Sequence, residues 1–183
     1  MVTQTKLVHR TQTMYNLEVA HDHTFVVGVG QWVVHNQCDS GPLRKALGLP
    51  SNSPTFSQQA QHLTPCQTST TGSSTHAMVA LAEQGNPDFL NEAWNGVGLP
   101  DNWRDAAAAN LPRHLGRHPF YTGQVIQLLN IEWGRVLAAT SGNPSVGDAQ
   151  AGVQRVSNWA RAKISGAGGG CTINQVNLGV GSY

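Results

Sequence analysis

The chain reads as an α+β protein on three observations. Its first 36 residues carry short apolar runs separated by turn chemistry, which is strand patterning. Residues 118–164 carry two long runs with apolar side chains at helical spacing. Between these regions the composition shifts to Ser, Pro, Gly, Asn and Gln, as expected of a linker. At 183 residues and 19.5 kDa the chain holds one domain, or one domain with an appended fragment, and can bury a sizeable core. Charged residues are only 11%, where roughly 25% is usual, so the surface is rich in uncharged polar groups. A net charge of +1 excludes a strongly basic nucleic-acid binder held by bulk electrostatics, and any attraction for phosphate has to be local.

Tyr15, Leu17 and Val19 alternate with Asn16 and Glu18, and His21-Asp22-His23 turns the chain into a strand at Thr24-Phe25-Val26-Val27. Gly28-Val29-Gly30-Gln31 punctuates before Trp32-Val33-Val34, and this strand ends at His35-Asn36. Residues 37–54 read as a linker with one helical turn around Leu43, Ala46 and Leu47. A helix over 75–84 puts Met78, Leu81 and Ala82 on one face and stops at Gly85-Asn86-Pro87. A second helix starts at His118-Pro119, where proline suits the first turn. It carries a core stripe of Tyr121, Val125, Leu128, Leu129, Trp133, Val136 and Leu137, up to the stop at Ser141-Gly142-Asn143-Pro144. A third helix over 146–164 leads into Gly166 to Gly170 and a polar tail. The expected domains are therefore 1–36, the linker 37–54, and 55–183.

Cys38, Cys66 and Cys171 are odd in number and far apart, with no CxxC pair, and they read as unpaired thiols. No apolar run is long enough for a membrane span. The N-terminus lacks the basic-then-apolar order of a signal peptide, so any export is expected to be directed from outside this chain.

The ordered segments Tyr15-Asn16-Leu17-Glu18-Val19, His23-Thr24-Phe25-Val26-Val27 and Trp32-Val33-Val34-His35-Asn36 resemble the C-terminal end of a Hint (hedgehog/intein) domain of the kind that precedes bacterial toxin domains. The resemblance implies that Asn36 attacks its own carbonyl to form a succinimide and break the bond after it, assisted by His35, with His23 a weaker assistant. An amide nitrogen is a poor nucleophile and needs such positioned acid and base groups. Two departures matter: the family's nucleophilic N-terminal half is absent from this sequence, and position 37 is Gln, which leaves cleavage and not splicing. The alternative is a remnant hairpin without activity, marking the residues beyond it as cargo.

The remainder holds Gln59-Ala60-Gln61-His62-Leu63-Thr64-Pro65, Asn95-Gly96-Val97-Gly98-Leu99-Pro100 and His114-Leu115-Gly116-Arg117-His118-Pro119-Phe120-Tyr121. These blocks resemble the AHH nucleases of the HNH/Endonuclease VII superfamily, a common toxin warhead, over about residues 55–135. The resemblance implies a ββα-metal core with added helices. Within it His62 would be the general base at the end of the first strand. Asn95 would lie in the second strand and hold the loop or orient His62, while His114 and His118 would be metal ligands. Pro119 disfavours a helical conformation at His118, so the pair is not a simple i, i+4 ligand face. Gln61 stands where the family usually has a further histidine ligand. A Gln oxygen suits Mg²⁺ or Mn²⁺ better than Zn²⁺ or Ni²⁺, so a hard divalent ion is expected.

Each of these residues also has a plain structural reading. His118 before proline could cap a helix, Asn95-Gly96 is a turn signal, and single histidines such as His9, His21 and His76 carry no functional claim. Arg113 and Arg117 flank the ligands and could clamp phosphate. Trp94 and Trp103 are expected in the core in preference to stacking on a base. Cys66 has no dedicated base and is not expected to be a nucleophile. The resemblance implies a released toxin that hydrolyses phosphodiesters, DNA in preference to RNA, delivered by a secretion system into the cytoplasm of a target cell and blocked by a cognate immunity protein. The rival readings are a metal-free degenerate fold that binds nucleic acid or protein, and a toxin of other chemistry on the same scaffold.

Overall fold

The computed structural model describes residues 24–27, 32–35, 41–50, 58–70, 72, 74–115 and 118–183. The chain divides between residues 36 and 37 into two units. In the first unit, β1 (Thr24–Val27) pairs antiparallel with β2 (Trp32–His35), with Phe25 opposite Val34 and Val26 opposite Val33. The expected strand around Tyr15 to Val19 lies outside the described residues.

The second unit is mixed α+β, with helices and a small two-stranded antiparallel sheet. Its elements are α1 (Gly41–Ala46), β3 (Gln58–His62), α2 (Ala77–Glu83), β4 (Gly96–Pro100), α3 (Trp103–Ala109), α4 (Pro119–Ala139) and α5 (Val146–Ala167). The register of β3 on β4 runs from Gln58 opposite Pro100 to His62 opposite Gly96.

Part of the expected linker belongs to this unit. Leu43 of α1 is fully buried, and Arg44 donates to the Gln58 carbonyl at 2.6 Å. Gly96 makes the close approach possible, because a Cβ there would lie 2.5 Å from Leu43 Cδ1 and 2.9 Å from Leu47 Cδ1. The two leucines that suggest one helical turn are thus the lid of the sheet.

The long helices form where their patterning and caps require. Pro119 opens α4, whose Tyr121, Val125, Leu128, Leu129 and Val136 are buried, with Trp133 packed partly against the same core. It ends before the left-handed Ser141 (φ 52°) and Gly142 (φ 81°). Ser145 and Asp148 then make a capping box that starts α5. Against α5 lies α2, whose N-cap is the Nδ1 of His76, accepting from Met78 N. The helix α3 is not among the expected elements, although its Asn102 cap, Ala106-Ala107-Ala108-Ala109 run and left-handed Asn110 stop are ordinary helix signals.

Cys66 is disulfide-bonded, which corrects the expectation of three unpaired thiols, while Cys171 is free. Among the described residues no helix is long and apolar enough to cross a membrane.

The packing of α2 on α5 has a specific weak point. A Cβ on Gly152 would fall 2.7 Å from Met78 Sδ and 3.2 Å from Val136 Cγ2, whereas a Cβ on Gly134 of α4 would meet nothing within 4 Å. Gly152→Ala is expected to destabilise by about 1–3 kcal/mol through overpacking. Gly134→Ala is expected to stabilise by about 0.5–1 kcal/mol. Urea unfolding midpoints of the two variants check both signs.

Candidate active site

The candidate residues stand on three segments: the end of β3, the turn before β4, and the approach to α4. His62 is the last residue of β3 and is buried, its ring Nε2 3.1 Å from Asn91 Oδ1. An amide oxygen only accepts, so Nε2 carries the proton and Nδ1 is left as the basic nitrogen. Burial pushes the pKa of His62 below the ordinary histidine value, opposed by the Asn91 hydrogen bond. The imidazole is therefore neutral at pH 7, the form a proton acceptor requires.

Asn95 lies one residue before β4 and not within it. It is fully buried and bonds through both ends of its amide. Oδ1 accepts from Thr64 N and Ser157 Oγ, each at 2.8 Å, while Nδ2 donates to the carbonyls of Thr64 at 3.0 Å and Leu90 at 2.9 Å. It holds the loop, one of the two roles expected of it. The other role, orienting His62, belongs to Asn91. No sequence signal distinguishes these two nearby asparagines.

His114 and His118 meet. Their Nε2 atoms are 3.1 Å apart and their rings are edge-on, with centroids at 4.5 Å. His118 Nδ1 is buried and has no hydrogen-bond partner among the described residues. As a proton donor that nitrogen would be costly to bury unpaired, so the favoured tautomer has His118 donating through Nε2 to His114. The pKa of His114 is lowered to about 4, by burial first and by the neighbouring His118 second, against an opposing pull from Asp101. His118 is lowered by burial.

The segment that carries the pair is pinned at both ends. His114 N donates to the Pro100 carbonyl at 2.7 Å, and Arg113 pairs with 171–173 of the tail through Arg113 N to Cys171 O and Ile173 N to Arg113 O. At the other end Asn174 Oδ1 accepts from Phe120 N at 2.8 Å and Tyr121 N at 3.3 Å, capping α4 in place of His118. Tyr121 then donates to the Leu63 carbonyl at 2.7 Å, which ties the first turn of α4 to the residue after His62.

Comparison with known proteins finds no matching family model, no matching curated protein and no matching solved structure.

The donor set fits a metal ion in part. Two nitrogens held at about 2.0–2.1 Å from one tetrahedral ion stand about 3.3–3.4 Å apart, close to the observed spacing of His114 and His118. Among the described residues no third His, Cys, Asp or Glu joins them. Gln61 is buried in β3, and its amide nitrogen donates to the His62 carbonyl at 2.7 Å. Successive strand residues face opposite sides, so Gln61 and His62 do not present their side chains to the same face. Asn36, His23 and Arg117 lie outside the described residues, as does the side chain of His35. Trp94 is half-buried against Phe89, whereas Trp103 is 47% exposed, contrary to its expected place in the core.

Asn95→Ala strands several buried partners and is expected to cost about 2–4 kcal/mol, read from urea unfolding. The depressed histidines also tie stability to pH. Unfolding raises their proton affinity, so in EDTA stability is complete above the unfolded value near 6.5 and is lost as pH falls, down to about 4 for His114. Thermal melting should fall between about pH 7.5 and pH 5. His114→Gln should flatten that slope without abolishing it, because His62, His76 and His118 are lowered too.

Proposed function

We propose that residues 37–183 are a metal-dependent endonuclease, a toxin cargo of the AHH type released by cleavage after Asn36. The observation that carries this reading is the facing pair of uncharged imidazoles, His114 and His118, which leads into a helix whose Tyr121 donates to the carbonyl of Leu63, the residue after a neutral His62. The two neutral rings aim their Nε2 atoms at one point, where a cation would take the place of the proton that His118 donates to His114.

In the proposed reaction water attacks phosphorus in line and its proton passes to His62 Nδ1. The bond from phosphorus to the leaving oxygen breaks, and solvent protonates that oxygen. Asn91 fixes the His62 tautomer, and Asn95 fixes the loop on which Asn91 stands. A divalent ion bound by His114 and His118 would supply charge stabilisation at the phosphate. Gln61 would join through Oε1 if at all, since its nitrogen is engaged. Of the two hard ions favoured by the sequence, Mn²⁺ tolerates nitrogen donors better than Mg²⁺. An all-imidazole pair also admits Zn²⁺ and Ni²⁺.

DNA is the proposed substrate in preference to RNA. Delivery into a target cell and inhibition by a cognate immunity protein belong to the same proposal, and the disulfide at Cys66 suits a protein that passes through an oxidising compartment. A second reading is favoured by one observation, the lack of a third His, Cys, Asp or Glu beside the pair among the described residues. On that reading the fold is a degenerate binding module.

The test is plasmid nicking by the full chain in EDTA, Mg²⁺, Mn²⁺, Zn²⁺ and Ni²⁺, beside His62→Ala and Gln61→His. Metal-dependent nicking is expected, with a loss of about 10²–10⁴-fold in His62→Ala. Nicking by Gln61→His alone would support the degenerate module. Inactivity of all three folded proteins would overturn the nuclease reading.

A further inference from the structure

We propose that Trp103 and Arg113 form a subsite for an unpaired nucleotide of the substrate strand. Trp103 stacks on the base, and the terminal amino groups of Arg113 take the adjoining phosphate. The proposal rests on the nuclease reading and gives it a substrate class, a single-stranded segment.

Trp103 opens α3 and is 47% exposed, although a tryptophan of the core would be covered. The Arg113 guanidinium carbon lies 5.3 Å from its ring centroid, a cation–π contact that covers one face of the indole. Arg113 is itself fixed: Nε donates to the Asp101 carbonyl at 2.7 Å, and the backbone is paired with the tail on both sides. Its two terminal amino groups make no hydrogen bond among the described residues, so a rigid guanidinium offers an unused fork of donors. The next residue is His114. An aromatic face, a fixed phosphate donor and the proposed ion-binding pair thus occur in succession along one short stretch of surface.

The net charge explains why such a subsite is needed. At +1 the chain cannot hold a polyanion by bulk electrostatics, and affinity has to come from stacking and from a few placed cations. Bases in a duplex already stack on each other and do not offer a face, so the ligand is an unpaired nucleotide. Among the described residues the other exposed large apolar side chains, Leu115, Phe120 and Ile131, have no cation stacked on them.

The experiment measures binding of a fluorescent single-stranded DNA oligonucleotide to the full chain carrying His62→Ala, by anisotropy, in EDTA and with Mn²⁺. Trp103→Ala is expected to weaken binding about 5- to 100-fold, and Trp103→Phe to retain most of it. Abasic positions in the oligonucleotide should weaken binding to the Trp103 protein and have little further effect on Trp103→Ala. The exposed position should leave melting by circular dichroism unchanged. Equal affinity of Trp103→Ala, or an abasic effect that ignores the substitution, would overturn the subsite. If the native protein still nicks plasmid, the nuclease reading survives that result. Absence of both nicking and binding would overturn the two together.

Discussion

The site depends on a single buried amide. Asn95 reaches the end of β3 through Thr64, the loop below Asn91 through Leu90, and α5 through Ser157. Those bonds join the end of β3, the connection to β4 and the helical core at one point. They also fix the distance between His62 and Asn91, because both partners hang from segments that the amide holds. In a two-stranded sheet of so little apolar content, backbone pairing alone is weak. The tertiary latch and the cover supplied by Leu43 do what strand propensity does not.

The tail has a corresponding role for the other half of the site. Residues 171–174 hold Arg113 by backbone pairing and cap α4 through Asn174, so they bracket the segment that contains both histidines. Gln124 extends the seam by donating to the Val176 carbonyl and accepting from Leu178 N. The tail is further anchored at Tyr183, whose hydroxyl donates to the buried Glu132, itself paired with Arg155 at 2.6 Å. The polar residues at the chain's end are therefore fasteners, and the charge inside the α4 stripe belongs to the same seam.

Legibility in the sequence depends on the kind of signal. The helices α4 and α5 announce themselves through period and stops, and β1 and β2 through continuous β-branched runs. The strand β3, Gln58-Gln59-Ala60-Gln61-His62, has no alternation at all, and only the motif resemblance puts His62 at its end. The chain there is extended because β4 and Leu43 hold it, a tertiary cause invisible to periodicity. The role of Asn91 and the exposure of Trp103 are hidden for the same reason: a hydrogen-bond partner and an exposure are set by what packs nearby. The covalent state of Cys66 is equally hidden, since spacing says nothing about which thiols meet.

Everything proposed for the chemistry turns on the protonation state of His62: a neutral ring with the proton on Nε2 toward Asn91 and a basic Nδ1 left for water. Long-range proton–nitrogen NMR of the imidazoles, in the metal-free protein at pH 7, reads this directly. The expected result is an Nε2–H tautomer for His62 that disappears in Asn91→Ala. A His62 protonated at Nδ1, or on both nitrogens at that pH, would contradict it.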